Sequence, residues 1–161
     1  TAAVFIQRIF VHKRWRELLA TNRKRGGLVA FHTSHKLLLL SHSEKEYREM
    51  GRLVALAKEL PVDELFSRYE KMLMETLKKR STVNKHVNVL THVFGHFKQL
   101  LGPEEQRQIL DILDHYHQGL VPLIVPVTLL NFFVKKFRNE YLANQHYLDP
   151  HPLQLKLLNH A

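Results

Sequence analysis

Cysteine is absent from the 161-residue chain. That excludes disulfides, a thiol nucleophile, cysteine-based zinc sites and iron–sulfur ligation by this chain, and it suits a cytoplasmic protein. Glycine and proline number only six each, so neither collagen-like nor low-complexity structure fits. The longest apolar stretch, Leu120 to Val134, contains Pro122, Pro126, Thr128 and Asn131 and falls short of the ~20 residues a helix needs to cross a bilayer. No segment has the pattern of a signal peptide. Strand signals are nearly absent, with no sustained alternation and no Asn-Gly or Asp-Gly hairpin turn. GxGxxG, Walker A, GxSxG and HExxH motifs are all missing. Acidic residues are scarce: 15 stand against 24 Lys and Arg, for a net charge of +9 with His neutral.

What the chain does have is helical spacing. Apolar residues make up 45% and charged residues 24%, ordinary for a globular domain of this length. Phe5–Ile9, Ile6–Phe10 and Trp15–Leu19 are i,i+4 pairs on a first helix. A basic turn, Arg23 to Gly27, precedes a helix over about 28–42. Ser43-Glu44-Lys45-Glu46 reads as a capping box. Pro61 suits a helix first turn, and Val62, Leu65, Phe66, Tyr69, Leu73, Thr76 and Leu77 form the inner face that follows. Ser81 to Asn84 caps the next helix, Gly102-Pro103 separates it from its successor, and Gly119 terminates that one. Residues 120–137 are apolar almost all round, which places them at the centre, with Pro126 kinking or breaking the run. A short last helix is expected over 139–148, then an extended Asp149-Pro150-His151-Pro152. The expectation is an all-α fold, a single domain over 1–161 built as a bundle of seven or eight helices around a central apolar helix at about 120–137. The chain begins at Thr1, so a piece of a longer protein is expected.

The positive charge is polarised. Residues 1–43 carry +7, 44–80 +1, 81–102 +2, 103–118 −3 and 119–161 +2. Such asymmetry suits a polyanionic partner, nucleic acid above all, although solvated helix faces carry similar runs. Arg23, Lys24 and Arg25 lie beside Gly26-Gly27, where the backbone can approach phosphate oxygens. Lys78-Lys79-Arg80 closes a helix, where cations complement the dipole.

Two histidine strings stand out among the 12 histidines. His32, His35 and His42 fall near one helical stripe, with Lys36 one turn after His32. Lys85, Asn88, His92 and His96 form a second stripe at spacings of three and four, opposite Val87, Leu90, Phe94, Phe97 and Leu101. Gly95 within that helix costs about 1 kcal/mol against Ala; close helix approach or room for a ligand would account for it. Three chemistries are open. His92 and His96 have the spacing of a two-histidine metal pair. Imidazole acid–base chemistry with Lys36 as an electrostatic group needs a pocket and a nucleophile. A polar, partly cationic face contacting phosphate, ribose or an unstacked base suits His, Asn and Lys donors. Against all three stands the simplest reading, buried histidines hydrogen-bonded within the core.

These strings carry a family resemblance. Phe31-His32, His35 to Leu40, His42, Tyr47 and Gly51 to Val54 resemble the YbgA-like domain of unknown function. So do His86 to Leu90 with His92 and Gly95, Gly119 to Pro126, Tyr141-Leu142, Gln145, and Tyr147 to Pro150. One departure is His96-Phe97, where the family has an aromatic pair led by Tyr. The resemblance covers about residues 4–158. It implies a domain found alone or fused behind a cysteine-rich desulfidase-like domain that holds an iron–sulfur cluster and removes sulfur from thiouridine in tRNA. This domain would then be a cytoplasmic tRNA-binding accessory without catalytic residues, metal or cofactor of its own, and Phe5 to Phe10 would open the junction helix. On chemical grounds Arg23, Lys24, Arg25, Lys36 and Lys85 are expected to contact phosphate, and His32, His35, Asn88, His92 and His96 to line the groove. A stand-alone enzyme or metal-binding domain using the histidine face is the alternative. A protein-interaction domain docking through Leu153, Leu155, Leu157 and Leu158 is the second.

Overall fold

The computed structural model describes residues 2–150 and 152–154. Among these the fold is all-α, as expected, with eight α-helices and two 3-10 turns up to Leu148, a helical stretch at 152–154 and no strand. The helices are α1 (Ala2–Thr21), α2 (Arg25–His42), α3 (Glu44–Ala55), α4 (Val62–Lys78), α5 (Val83–Phe97), α6 (Pro103–His117), α7 (Ile124–Lys136) and α8 (Glu140–Ala143). The 3-10 turns are Lys98–Leu100 and His146–Leu148.

Local chemistry sets most boundaries. Ser43 is the N-cap of α3 and its hydroxyl accepts from the Glu46 N–H at 3.2 Å, the first half of the predicted box. Thr82 caps α5 in the same way through the Lys85 N–H at 3.2 Å. Pro103 occupies the first turn of α6, where a missing N–H costs nothing. Gly119 follows α6 at φ +79°, a left-handed conformation that favours glycine. Pro126 neither kinks nor breaks a helix: α7 starts at Ile124, so the proline lies in the first turn. The predicted last helix divides into α8 and the 3-10 turn at His146–Leu148. Of the expected extended Asp149 to Pro152, Pro152 is instead helical together with Leu153 and Gln154, and His151 lies outside the described residues.

The centre is α2, not residues 120–137. Eleven of its 18 residues are buried, against five of 13 in α7. It packs on α1, α3, α4, α5 and the 3-10 turn at His146–Leu148, whereas α7 meets α5, α6, α8 and that turn. Apolar character misled here because α7 leaves Phe132 60% exposed and Leu120 ahead of it 66% exposed. In α2, the buried His35, Ser41 and His42 hydrogen-bond inside the fold, and His32 does so through Nδ1 alone among the described residues.

One contiguous core joins the helices. Trp15 of α1 packs edge-on to Phe31 at 5.2 Å and stacks on Tyr69 at 5.4 Å. Its Nε1–H donates to Glu70 Oε1 at 2.7 Å, so α1, α2 and α4 share one aromatic cluster with its polar handle satisfied. The inner face of α4 is the predicted one, with Leu65, Phe66, Tyr69, Leu73, Thr76 and Leu77 buried and Val62 half-buried. The first half of α1 differs: Phe5 is 65% and Ile9 48% exposed, so that pair is not core. The tail residue Leu153 is exposed, and Leu155, Leu157 and Leu158 lie outside the described residues.

Candidate nucleic-acid interface

The ten residues singled out from the sequence divide into three groups. The first is interior. His32 and His35 are 2% and 0% exposed, so they line no open groove. His35 accepts from Arg14 Nε at 3.0 Å through Nε2, which leaves the proton on Nδ1 to be donated to the Phe31 carbonyl at 2.7 Å. Its ring also stacks on Phe31 at 3.9 Å and lies 4.5 Å from His146. His32 Nδ1 is 3.0 Å from the Tyr69 hydroxyl. Burial pushes both imidazoles down, His32 to about 4, reinforced by Lys36 for His32 and by Arg14 for His35. Both are therefore neutral near pH 7 and bound into the packing of α2. His42 is likewise buried, with Nδ1 donating to the Lys79 carbonyl at 2.8 Å. Because α2 is buried on nearly every side, its histidine stripe faces other helices rather than a groove.

The second group is cationic and, Lys24 excepted, committed to the fold. Arg25 donates through Nε to the Ala57 carbonyl at 2.8 Å and through Nη2 to the Leu60 carbonyl at 2.7 Å, tying the α3–α4 connection to the start of α2. Lys85 donates to the His42 carbonyl at 2.8 Å and the Arg80 carbonyl at 2.6 Å. Arg23 pairs with Asp63 at 2.5 Å and rests 5.3 Å from the Phe66 ring centroid. Lys24, by contrast, is exposed and makes no such bond among the described residues.

The third group forms a surface. Lys36 of α2 is half-buried, with Nζ 6.0 Å from the ring centroid of Tyr141 in α8. The exposed His96 ring of α5 lies 5.4 Å from the same ring, tilted by 30°. His92 is exposed one turn before it and Asn88 is half-buried. Burial, and then nearby Tyr47, push the Tyr141 hydroxyl up to about 12, so it remains a neutral hydrogen-bonding group. Gly95, on the same helix, is exposed, and a Cβ there would meet nothing within 4 Å among the described residues. Close helix approach does not account for this glycine.

A buried amide holds this surface in place. Gln145 is 1% exposed, accepts from the Leu37 N–H at 3.1 Å and donates to the Thr33 carbonyl at 2.6 Å. A regular helix bonds those two backbone groups to each other. The side chain bridges the turn of α2 that carries Lys36 and anchors the segment that carries Tyr141. Neither tyrosine nor glutamine was among the predicted site residues. Tyr141 stood out only within the family strings, and the Lys36–Tyr141 pairing joins residues 105 positions apart, for which no local pattern exists.

Among the described residues, no group of three or more His, Asp or Glu is gathered as a metal ion would require, and no helix is long and apolar enough to cross a membrane. Comparison with known proteins places the chain more firmly. It is 28% identical over 151 residues to a protein of Escherichia coli (strain K12) titled "Uncharacterized protein YbgA", covering 93% of this chain and 89% of that one. No solved structure matches. Residues 36–152 match the family described as "Protein of unknown function (DUF1722)", a segment that begins at Lys36 and includes Tyr141, His96 and Gln145. The chain belongs to the DUF1722 family.

Proposed function

We propose that this is an RNA-binding domain that holds thiolated tRNA for a desulfidase domain, attached or separate, in the cytoplasm. The observation that carries the RNA reading is the convergence of Lys36 and His96 on the Tyr141 ring. An exposed imidazole backed by an aromatic ring offers a stacking platform to an unpaired base, and an ammonium beside it suits the adjoining phosphate. The polarised charge adds sequence-independent attraction. The choice of tRNA and of sulfur chemistry rests on the resemblance of the sequence strings. The chemistry itself is assigned to the desulfidase domain and its iron–sulfur cluster.

The test is fluorescence anisotropy with thiolated tRNA, unthiolated tRNA and duplex DNA of similar charge, at two salt concentrations. The expected result is salt-sensitive binding with preference for tRNA. Replacing His96 or Tyr141 with Ala should weaken it by roughly tenfold, since stacking contributes about 1–3 kcal/mol per base; Tyr141→Phe, which keeps the ring, should not. Lys36→Ala should lower affinity and flatten the salt slope by about one unit. Equal weak binding to all three nucleic acids, with no effect of Tyr141→Ala, would refute the reading.

A further inference from the structure

A well-formed cavity lies away from the Tyr141 surface. It opens between the start of α1, the α4–α5 connection and the segment around Tyr147, with a volume of about 460 Å³, within the range of small-ligand sites. Its described lining contains Arg8, Lys78 and Arg80 and no carboxylate. Lys78 is paired with Glu75 at 3.2 Å, which leaves Arg8 and Arg80 as its cations without an acidic partner among the described residues. The Arg8 Nε–H is buried and has no hydrogen-bond acceptor among the described residues, a desolvation cost that a ligand oxygen would relieve. Ser81, Thr82 and Val83 also line the cavity, so the start of the 15-residue α5 borders it, where the Val83 and Asn84 amides have no intrahelical acceptor and the Lys85 amide is held by Thr82. The rest of the wall is mainly apolar or aromatic, with Tyr116, Leu123, Val127 and Tyr147, beside the polar Gln7, His86 and Gln154.

A cationic rim beside an aromatic wall calls for a ligand that is anionic at one end and flat and apolar at the other. Two unpaired guanidiniums and a helix start match the double charge of a phosphate better than a single carboxylate. The volume admits a body of one or two rings.

We propose that this cavity binds one nucleotide, its phosphate against Arg8, Arg80 and the start of α5 and its base against Tyr116, Leu123, Val127 and Tyr147. The site does not depend on the Tyr141 surface. The nucleotide is either free or a unit of an RNA strand, and the chemistry of recognition is the same.

Calorimetry on the full chain with AMP, UMP, their nucleosides and inorganic phosphate tests this. Both nucleotides should bind about tenfold or more tightly than their nucleosides or phosphate alone. Arg80→Ala, an exposed position, should weaken nucleotide binding by about tenfold, with Arg80→Lys recovering part of it and Arg8→Gln giving a second, independent loss. Tyr141→Ala should leave AMP binding intact, which separates this site from the RNA surface. Displacement of bound tRNA by AMP, with Arg80→Ala weakening both ligands, identifies the nucleotide as part of RNA; AMP binding without displacement identifies it as free. Nucleosides binding as well as nucleotides, no detectable nucleotide binding, or an unchanged affinity in both Arg80→Ala and Arg8→Gln would overturn the proposal.

Discussion

Lys24 and Arg25 are adjacent cations with opposite surroundings. The Arg25 guanidinium holds two backbone carbonyls, those of Ala57 and Leu60, while Lys24 is exposed and makes no such bond among the described residues. Removing the first leaves two partly shielded carbonyls without a charge-assisted donor. Arg25→Ala is therefore expected to lower stability by about 1–3 kcal/mol and to leave the salt slope of nucleic-acid binding unaltered. Lys24→Ala should change stability by less than about 0.5 kcal/mol. Urea unfolding beside a salt titration reads both, and an Arg25→Ala chain of native stability would contradict the assignment. In the sequence the two residues are indistinguishable members of one basic run, because whether a long cation meets a carbonyl depends on a chain segment more than thirty positions away.

At the scale of elements, α2 and the segment from Glu140 to Leu148 act together through Gln145. The amide occupies the hydrogen-bonding groups of Thr33 and Leu37 on either side of Lys36. Gln145→Ala would remove both bonds and the contact that holds Tyr141 beside Lys36. The expected result is a loss of about 1–3 kcal/mol in unfolding free energy, together with weaker tRNA binding in a chain that is still folded. Retention of full RNA affinity in the folded variant would show that Tyr141 is positioned by other contacts. Helix limits in this region were partly legible: capping by Ser43 and Thr82 and the Pro103 and Gly119 punctuation follow from local chemistry. The wedge was not, since a glutamine that enters another helix leaves no mark on the periodicity of its own segment.

For the whole molecule, the buried histidines couple stability to pH. Burial holds His32, His86 and His146 down to about 4 and lowers His35 and His42 as well. Between the ordinary imidazole value of about 6.5 and these lowered values the unfolded chain binds more protons than the folded one. Stability is thus complete above about pH 6.5 and falls as the pH drops towards 4. His32 alone should account for about 2 kcal/mol between pH 7 and pH 5. Urea unfolding at pH 7, 6 and 5 should show the decline, and His32→Gln should make it shallower; a flat profile would contradict the buried, neutral assignment. The sequence by itself determined what local forces determine: an all-α chain, most of its caps and breaks, the inner face of α4, Leu90, Phe94 and Phe97 of α5 without the equally buried Val89 and Val93, and a basic surplus concentrated towards the N-terminus. Periodicity reports which residues share a face, and a single amphipathic helix shows its inner face by its apolar stripe. It is silent for a helix enclosed on nearly all sides, where imidazoles, Ser41 and leucines are buried alike. Only the tertiary structure therefore decided that α2 is the centre, that His32 and His35 are interior, that Arg25 and Lys85 serve the backbone, and that Lys36, His96 and Tyr141, from three different helices, meet at one surface.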